Sequence, residues 1–204
     1  MNRQEPIADN EFHHVYNRGN RKQPIFRDDS DYRSFLGKLQ EGSQKYGVQV
    51  GAYCLMPNHY HLLLVERPGG SVPTLMTALA TSAARRFNLK YHEIGHLFHG
   101  PYQNKRIDSS ESLANVARYI HLNPVAAGLV KKPEDWPFSD FAEGYLQQGS
   151  ISEDGNFLLE SCGMTREEYV ALVRTYQQDV IDAVRAYLFG DTDEGYLQPG
   201  ENPR

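Results

Sequence analysis

The chain has 204 residues, 40% of them hydrophobic and 23% charged, an ordinary globular composition with room for one well-buried domain and an appendage. It shows no basic segment followed by an apolar one at its start and no run of about 18 uncharged apolar residues, which argues against a helical membrane span and leads us to expect a cytoplasmic protein. The formal charge of −5 speaks at first against a nucleic-acid partner. That charge is uneven, however: residues 1–132 hold 17 Lys and Arg against 11 Asp and Glu, a net of +6, and residues 133–204 hold 4 against 15, a net of −11.

The segment "EFHHVYNRG" mixes aromatic and β-branched residues before a turn signal and predicts a strand over residues 12–17. In "RDDSDYRSFLGKLQEGSQKYG", Tyr32, Phe35, Leu36 and Leu39 recur at helical spacing between acidic residues and Gly47, which predicts a helix. "VQVGAYCLM" and "HYHLLLVE" predict an antiparallel hairpin joined at Pro57-Asn58. A second helix is predicted in "TLMTALATSAARRFNLKYH", striped by Leu75, Leu79, Ala83 and Phe87. "LFHGPYQNKRI" is read as a strand, and Asp108 with Glu111 as the cap of a helix that Pro124 ends. Trp136 and Phe138 are expected to pack the exit segment onto the domain, and one long helix is expected after a Thr165/Glu168 capping box. The last residues, "GDTDEGYLQPGENPR", are expected to be loose.

The order strand, helix, strand, strand, helix, strand, helix predicts an α+β fold: a ferredoxin-like antiparallel sheet covered by helices, with a C-terminal helical acidic extension. The division expected is residues 11–132 as the catalytic domain and 133–204 as the extension. Two cysteines, Cys54 and Cys162, make neither a disulfide framework nor a thiolate zinc site and are read as packing residues.

In "YCLMPNHYHLLLV", His59 and His61 alternate on a strand, so they share a face with α-carbons about 6.7 Å apart, within reach of one metal ion. In "RYIHLNPV", Tyr119 and Asn123 are one helical turn apart and share a face. Taken singly, the histidines fit a half-exposed strand, Tyr119 a core residue and Asn123 a helix terminator. Together, two imidazoles and one amide oxygen would supply three neutral ligands and leave about half of an octahedral Mg²⁺ or Mn²⁺ shell for phosphate and water. A phenol beside that phosphate is a weak nucleophile while protonated, and a nearby cation favours its phenolate.

"YCLMPNHYHLLL", followed some way on by "ARYIHLNPVAAGLV", resembles the single-tyrosine HUH transposases of the IS200-like family, and more narrowly the REP-associated tyrosine transposases. The similarity spans residues 11–132 and includes "HHVYNRGNRKQPIF". It implies His59, His61 and Asn123 as ligands of Mg²⁺ or Mn²⁺ and Tyr119 as nucleophile. It also implies single-stranded DNA with hairpins, in particular repetitive extragenic palindromes, as substrate, and a 5′-phosphotyrosine intermediate. Such proteins act as monomers or homodimers. Family members would carry a basic residue near Pro101 and near Ala126, and neither position is basic here.

Candidate phosphate contacts are Arg18, Arg21 and Lys22, then Arg85 and Arg86, then Lys105 and Arg106. His13, His14, His92, His96, His99 and His121 are left out of the metal site. The acidic tail either folds over the site as a restraint or only solubilises the protein. Two other functions compete: a palindrome-binding regulatory module with little catalysis, and a histidine-triad hydrolase. The latter would want a histidine at position 63, where Leu63 stands.

Overall fold

The computed structural model describes residues 4–146, 155–175 and 177–189. The chain runs β1 (Phe12–Arg18), α1 (Asp29–Lys45), β2 (Val48–Met56), β3 (His59–Glu66), α2 (Val72–Tyr91), β4 (Gln103–Arg106) and α3 (Ser110–Ala126). The four strands form one antiparallel sheet in the order β2-β3-β1-β4. This is the expected ferredoxin-like βαββαβ arrangement, and the prediction of an α+β fold holds. Among the described residues no helix is long and apolar enough to cross a membrane.

Strand alternation divides the core in two. Val15, Tyr60, Leu62 and Leu64 point to one face, where Phe35 and Leu39 of α1 and Leu75 and Leu79 of α2 cover them. Tyr16, Cys54 and Leu63 point to the other, under Val116 and Ile120 of α3. The helices start where side chains satisfy their first amides. Asp28 and Asp31 form a capping box on α1, and Ser71 accepts from Thr74 N on α2.

Beyond α3, the segment after Trp136 lies along the free edge of β2. Leu55 N donates to Phe138 O at 2.9 Å and Asp140 N to Tyr53 O at 3.3 Å, so an otherwise open sheet edge is covered. As expected, Trp136 and Phe138 pin this segment: Trp136 Nε1 donates to Leu55 O, and the Phe138 ring stacks on Tyr32 with centroids 3.8 Å apart. Three further helices follow, α4 (Gly155–Cys162), α5 (Arg166–Arg174) and α6 (Gln178–Phe189). Leu158, Tyr169, Ile181 and Phe189 from them join the same apolar cluster as α3.

Several local expectations are corrected. The strand read over "LFHGPYQNKRI" is only Gln103–Arg106, because Gly100-Pro101 interrupts pairing; Phe98 makes an isolated bridge to Gly19. The cap of α3 is Ser109, which accepts from Ser112 N, while Asp108 accepts from Arg106 Nε. Pro124 does not end α3. The helix closes two residues later, where Gly128 takes a φ of +68° and Leu129 N donates back to Pro124 O.

The long C-terminal helix is two. The Thr165/Glu168 capping box opens α5 as predicted. At its end, however, the Arg118 guanidinium of α3 donates to Thr175 O, and the Thr175 hydroxyl donates to Ala171 O, which occupies groups that a continuing helix would use. Helix α4 was not anticipated, and the tail read as loose lies outside the described residues. Cys54 is buried, Cys162 half-buried, and both thiols are free.

A buried polar network ties the extension to α3. Asp140 Oδ1 accepts from Tyr53 N at 2.8 Å and from His121 Nε2 at 2.9 Å. With its proton on Nε2, His121 accepts at Nδ1 from the Tyr169 hydroxyl, 2.8 Å away. Burial, then the Asp140 carboxylate, holds the Tyr169 phenol well above its ordinary pKa, so it remains a donor. Replacing Tyr169 by Phe strands His121 Nδ1 without a donor and should lower unfolding free energy by about 1–3 kcal/mol in urea denaturation; an unchanged midpoint would show that the hydroxyl contributes nothing.

Candidate active site

His59 and His61 leave β3 on the α3 side of the sheet, and Tyr119 comes down from α3 to meet them. The His59 and His61 rings have centroids 4.8 Å apart, and the Tyr119 ring meets His61 edge-on at 5.6 Å. The tight turn ahead of β3 is braced by the segment that follows β1: Gly19 N donates to Asn58 O, Ile25 N to Pro57 O, and Asn58 Nδ2 to Lys22 O. That last bond fixes the Asn58 amide so that its Oδ1 faces His59 Nδ1, 2.9 Å away. An amide oxygen only accepts, so His59 carries its proton on Nδ1 and keeps a lone pair on Nε2.

His61 Nδ1 lies 2.9 Å from Nε2 of His14 on β1. His14 thus sits against a histidine of the pair, a placement that its position in the sequence had not signalled. The only clue was parity: residues 14, 16 and 18 share one face of β1. His13 points to the opposite face, toward Asn104 and Glu11. His121 is engaged with Asp140 and Tyr169, and His92, His96 and His99 are exposed.

Burial, and after it repulsion from His61 when that ring is protonated and from the Arg185 guanidinium, pushes His59 well below the ordinary histidine range. Burial and then Arg185 push His61 down to about 3, and burial and then His61 lower His14. At neutral pH all three rings are therefore neutral, the state in which an imidazole can ligate a metal. Asn123, one turn past Tyr119, donates from Nδ2 to Tyr119 O at 2.8 Å, which leaves its Oδ1 as an oxygen donor. Two imidazole nitrogens and an amide oxygen suit a divalent cation that keeps room for phosphate oxygens. Among the described residues no group of three or more His, Cys, Asp or Glu could hold a metal ion, so a metal here would need the amide.

The site is closed from above. Phe189 of α6 lies edge-on to Tyr16 at 5.0 Å and to His14 at 5.9 Å, and its ring is 6.4 Å from Tyr119. His59, His61 and Tyr119 are 2%, 1% and 3% exposed, too little for a phosphodiester to reach them in this conformation.

The basic candidates are dispersed. Arg18 pairs in register with His59, and exposed Arg21 and Lys22 follow in a tight turn with φ of +52° and +61°. Arg85 and Arg86 lie on α2, beyond the opposite face of the sheet, where Arg86 donates to Ser30. Lys105 and Arg106 on the edge strand are held by acids of this chain: Lys105 by Glu5 at 3.1 Å, Arg106 by Glu11 at 3.1 Å and Asp108 at 2.9 Å.

The chain is similar to known proteins in sequence and in fold. A curated Haemophilus influenzae protein named as a REP-associated tyrosine transposase is 30% identical over 125 residues, covering 55% of this chain and 70% of that protein. A REP-associated tyrosine transposase solved bound to a REP hairpin shares the fold, with a TM-score of 0.61 at 16% identity over 74% of this chain and 92% of that one. The family model described as "Transposase IS200 like" matches residues 8–123, which take in β1, the histidine pair, Tyr119 and Asn123. The chain belongs to the IS200-like transposase family.

Proposed function

We propose that the protein is a metal-dependent single-stranded DNA endonuclease and strand transferase acting on REP-like hairpin DNA through a 5′-phosphotyrosine intermediate at Tyr119. The observation that carries this reading is the Tyr119 ring edge-on to His61, 5.6 Å away, with His59 and His61 neutral beside it. His59 and His61 would hold Mg²⁺ or Mn²⁺ through Nε2, and Asn123 through Oδ1. A divalent cation bound there supplies charge neutralisation for the scissile phosphate.

Tyr119 gives its phenolic proton to solvent, which returns one to the departing 3′-oxygen, and the phenolic oxygen attacks phosphorus in line. The new bond is a 5′-phosphotyrosine ester, and the bond to the 3′-oxygen breaks, releasing a strand that ends in a 3′-hydroxyl once that oxygen takes a proton. The ester conserves the cleaved bond's energy, so a 3′-hydroxyl attacking in reverse rejoins DNA and regenerates Tyr119. A buried tyrosine without nearby lone-pair ligands would serve packing alone. Here its ring edge meets an imidazole that has a nitrogen to offer.

Arg18, Arg21 and Lys22 are the best-placed phosphate contacts, since Arg18 ends β1 opposite His59 and the turn that carries Arg21 and Lys22 is hydrogen-bonded to the one that starts β3. Arg85, Arg86, Lys105 and Arg106 would contact DNA only along more distant paths. A second reading, a palindrome-binding regulatory module with little catalysis, is favoured by one observation: the near-complete burial of Tyr119 beneath α6.

Incubation with Mn²⁺ or Mg²⁺ and labelled hairpin oligonucleotides should yield a denaturation-resistant adduct mapping to Tyr119. Tyr119→Phe should cut its formation by at least about 1,000-fold while leaving hairpin binding intact. Tight binding with no adduct under either metal would instead establish the regulatory module. Replacing Arg21 and Lys22 together by Gln should weaken binding to all hairpins alike and flatten the salt dependence by about 1.4 log units per decade of salt; an unaltered slope would place the phosphates elsewhere. Phe189→Ala should speed adduct formation severalfold by loosening the cover over Tyr119, and a rate equal to the parent's would show that opening of α6 does not limit access.

A further inference from the structure

The site holds a third histidine that the proposed chemistry does not use. His14 is fully buried, and its ring is held on three sides: stacked on Tyr16 with centroids 5.1 Å apart, side by side with His61 at 5.1 Å with planes 19° apart, and met by the edge of Phe189 at 5.9 Å. Such an aromatic setting would suit phenylalanine. An imidazole there puts two nitrogens into an apolar pocket, and His14 Nδ1 finds no hydrogen-bond partner among the described residues. The nitrogen that does find one is Nε2, 2.9 Å from His61 Nδ1. Because that nitrogen is spent on His61, His14 does not read as a third metal ligand.

Between two neutral imidazoles, one nitrogen donates and the other accepts. Were His14 the donor, the single proton of His61 would sit on Nε2 and block the atom that faces a metal. Were His61 the donor, its Nε2 lone pair would be free. On the other histidine the same choice is already made, since Asn58 Oδ1 can only accept from His59 Nδ1. We propose that His14 is a positioning residue that accepts the Nδ1 proton of His61, setting its tautomer and ring plane so that both strand histidines present Nε2 to one divalent cation. This inference rests on the metal-dependent reading above and adds to it a residue outside the ligand set.

Partners of this kind set metal affinity by about 10- to 100-fold. The test is Mn²⁺ binding to the full chain without DNA, by electron paramagnetic resonance titration of free Mn²⁺, for the parent, His14→Phe and His14→Gln. The phenylalanine fills the pocket and offers no acceptor, whereas the glutamine oxygen can reach the His61 proton. His14→Phe should weaken Mn²⁺ binding about 10- to 100-fold, and His14→Gln should restore most of that loss, with hairpin binding in EDTA equal to the parent's for both. A His14→Phe protein that binds Mn²⁺ as the parent does, or a glutamine variant as impaired as the phenylalanine one, would overturn the assignment while leaving the metal site standing. A parent that binds no Mn²⁺ would overturn both readings together. Should His14→Phe fail to fold, side-chain ¹⁵N NMR of the parent at saturating Mg²⁺ decides the matter. A proton on His61 Nδ1 with His14 Nε2 bare supports the proposal, and the reverse pair of tautomers overturns it.

Discussion

The register of β3 between its two neighbours is the constraint on which everything else hangs. Cross-strand pairing sets Tyr16 opposite His61 and Arg18 opposite His59 on one side of the strand, and Cys54 and Met56 opposite the same two histidines on the other. Because side chains alternate, a slip of one residue would turn His59 and His61 toward α1 and α2 and bring Tyr60 and Leu62 under α3. The slip is prevented by burial on both faces, since neither set of residues tolerates the other's surroundings. It is also prevented by the turn at Pro57 and Asn58, which Gly19, Lys22 and Ile25 just after β1 grip through backbone and side-chain bonds. The same interactions that define the sheet therefore aim the candidate ligands.

Burial does a second thing at this site. Two unpaired charges could not be kept in a pocket this dry, so the imidazoles stay neutral and offer lone pairs. A protonated ring could neither ligate a cation nor tolerate one beside it. The polar atoms that remain are met almost one for one: Asn58 Oδ1 serves His59, His14 serves His61, and the Tyr119 carbonyl serves the Asn123 amide. The layout contrasts with that of the arginines and lysines. Those on β4 are neutralised by acids of the chain itself, and those on α2 lie behind the sheet.

What the sequence made legible followed short-range rules. Period-two and period-three-to-four patterns located β1 to β3, α1 and α2, and the H-x-H spacing and the Tyr119/Asn123 turn hold for any strand and any helix. What it hid was contingent on tertiary contact. Pro124 reads as a terminator, yet α3 passes through it: the proline forfeits only the amide bond to Ile120 O, and the carbonyls that follow are met, Asn123 O by Ala127 N, Val125 O by Gly128 N and Pro124 O by Leu129 N. The break at Thr175 depends on Arg118, more than fifty residues earlier, reaching its carbonyl. His14 was set aside because adjacency to His13 says only that the two point to opposite faces; which of them meets His61 is decided by strand pairing.

The described part of the extension is packed directly onto the elements that carry the candidate site. Its Tyr169 completes the hydrogen bonding of His121, two residues from Tyr119, and Ile181, Val184, Leu188 and Phe189 of α6 are buried in the cluster that includes Tyr119. Burying each such side chain is worth about 1.5–3 kcal/mol, so this packing of α6 is favoured by several kcal/mol before the entropy of ordering the helix is set against it. A ligand that needs the open form binds more weakly in proportion to how seldom that form is populated. Closure over neutral histidines also keeps out the water that would otherwise compete for their lone pairs. The floor of the site is set by the sheet and its cover by α6, which begins just after Gln177, whose side chain accepts from the Arg118 guanidinium. Pairing on both sides of β3 holds His59 and His61 in register, and α6 is the element that covers them.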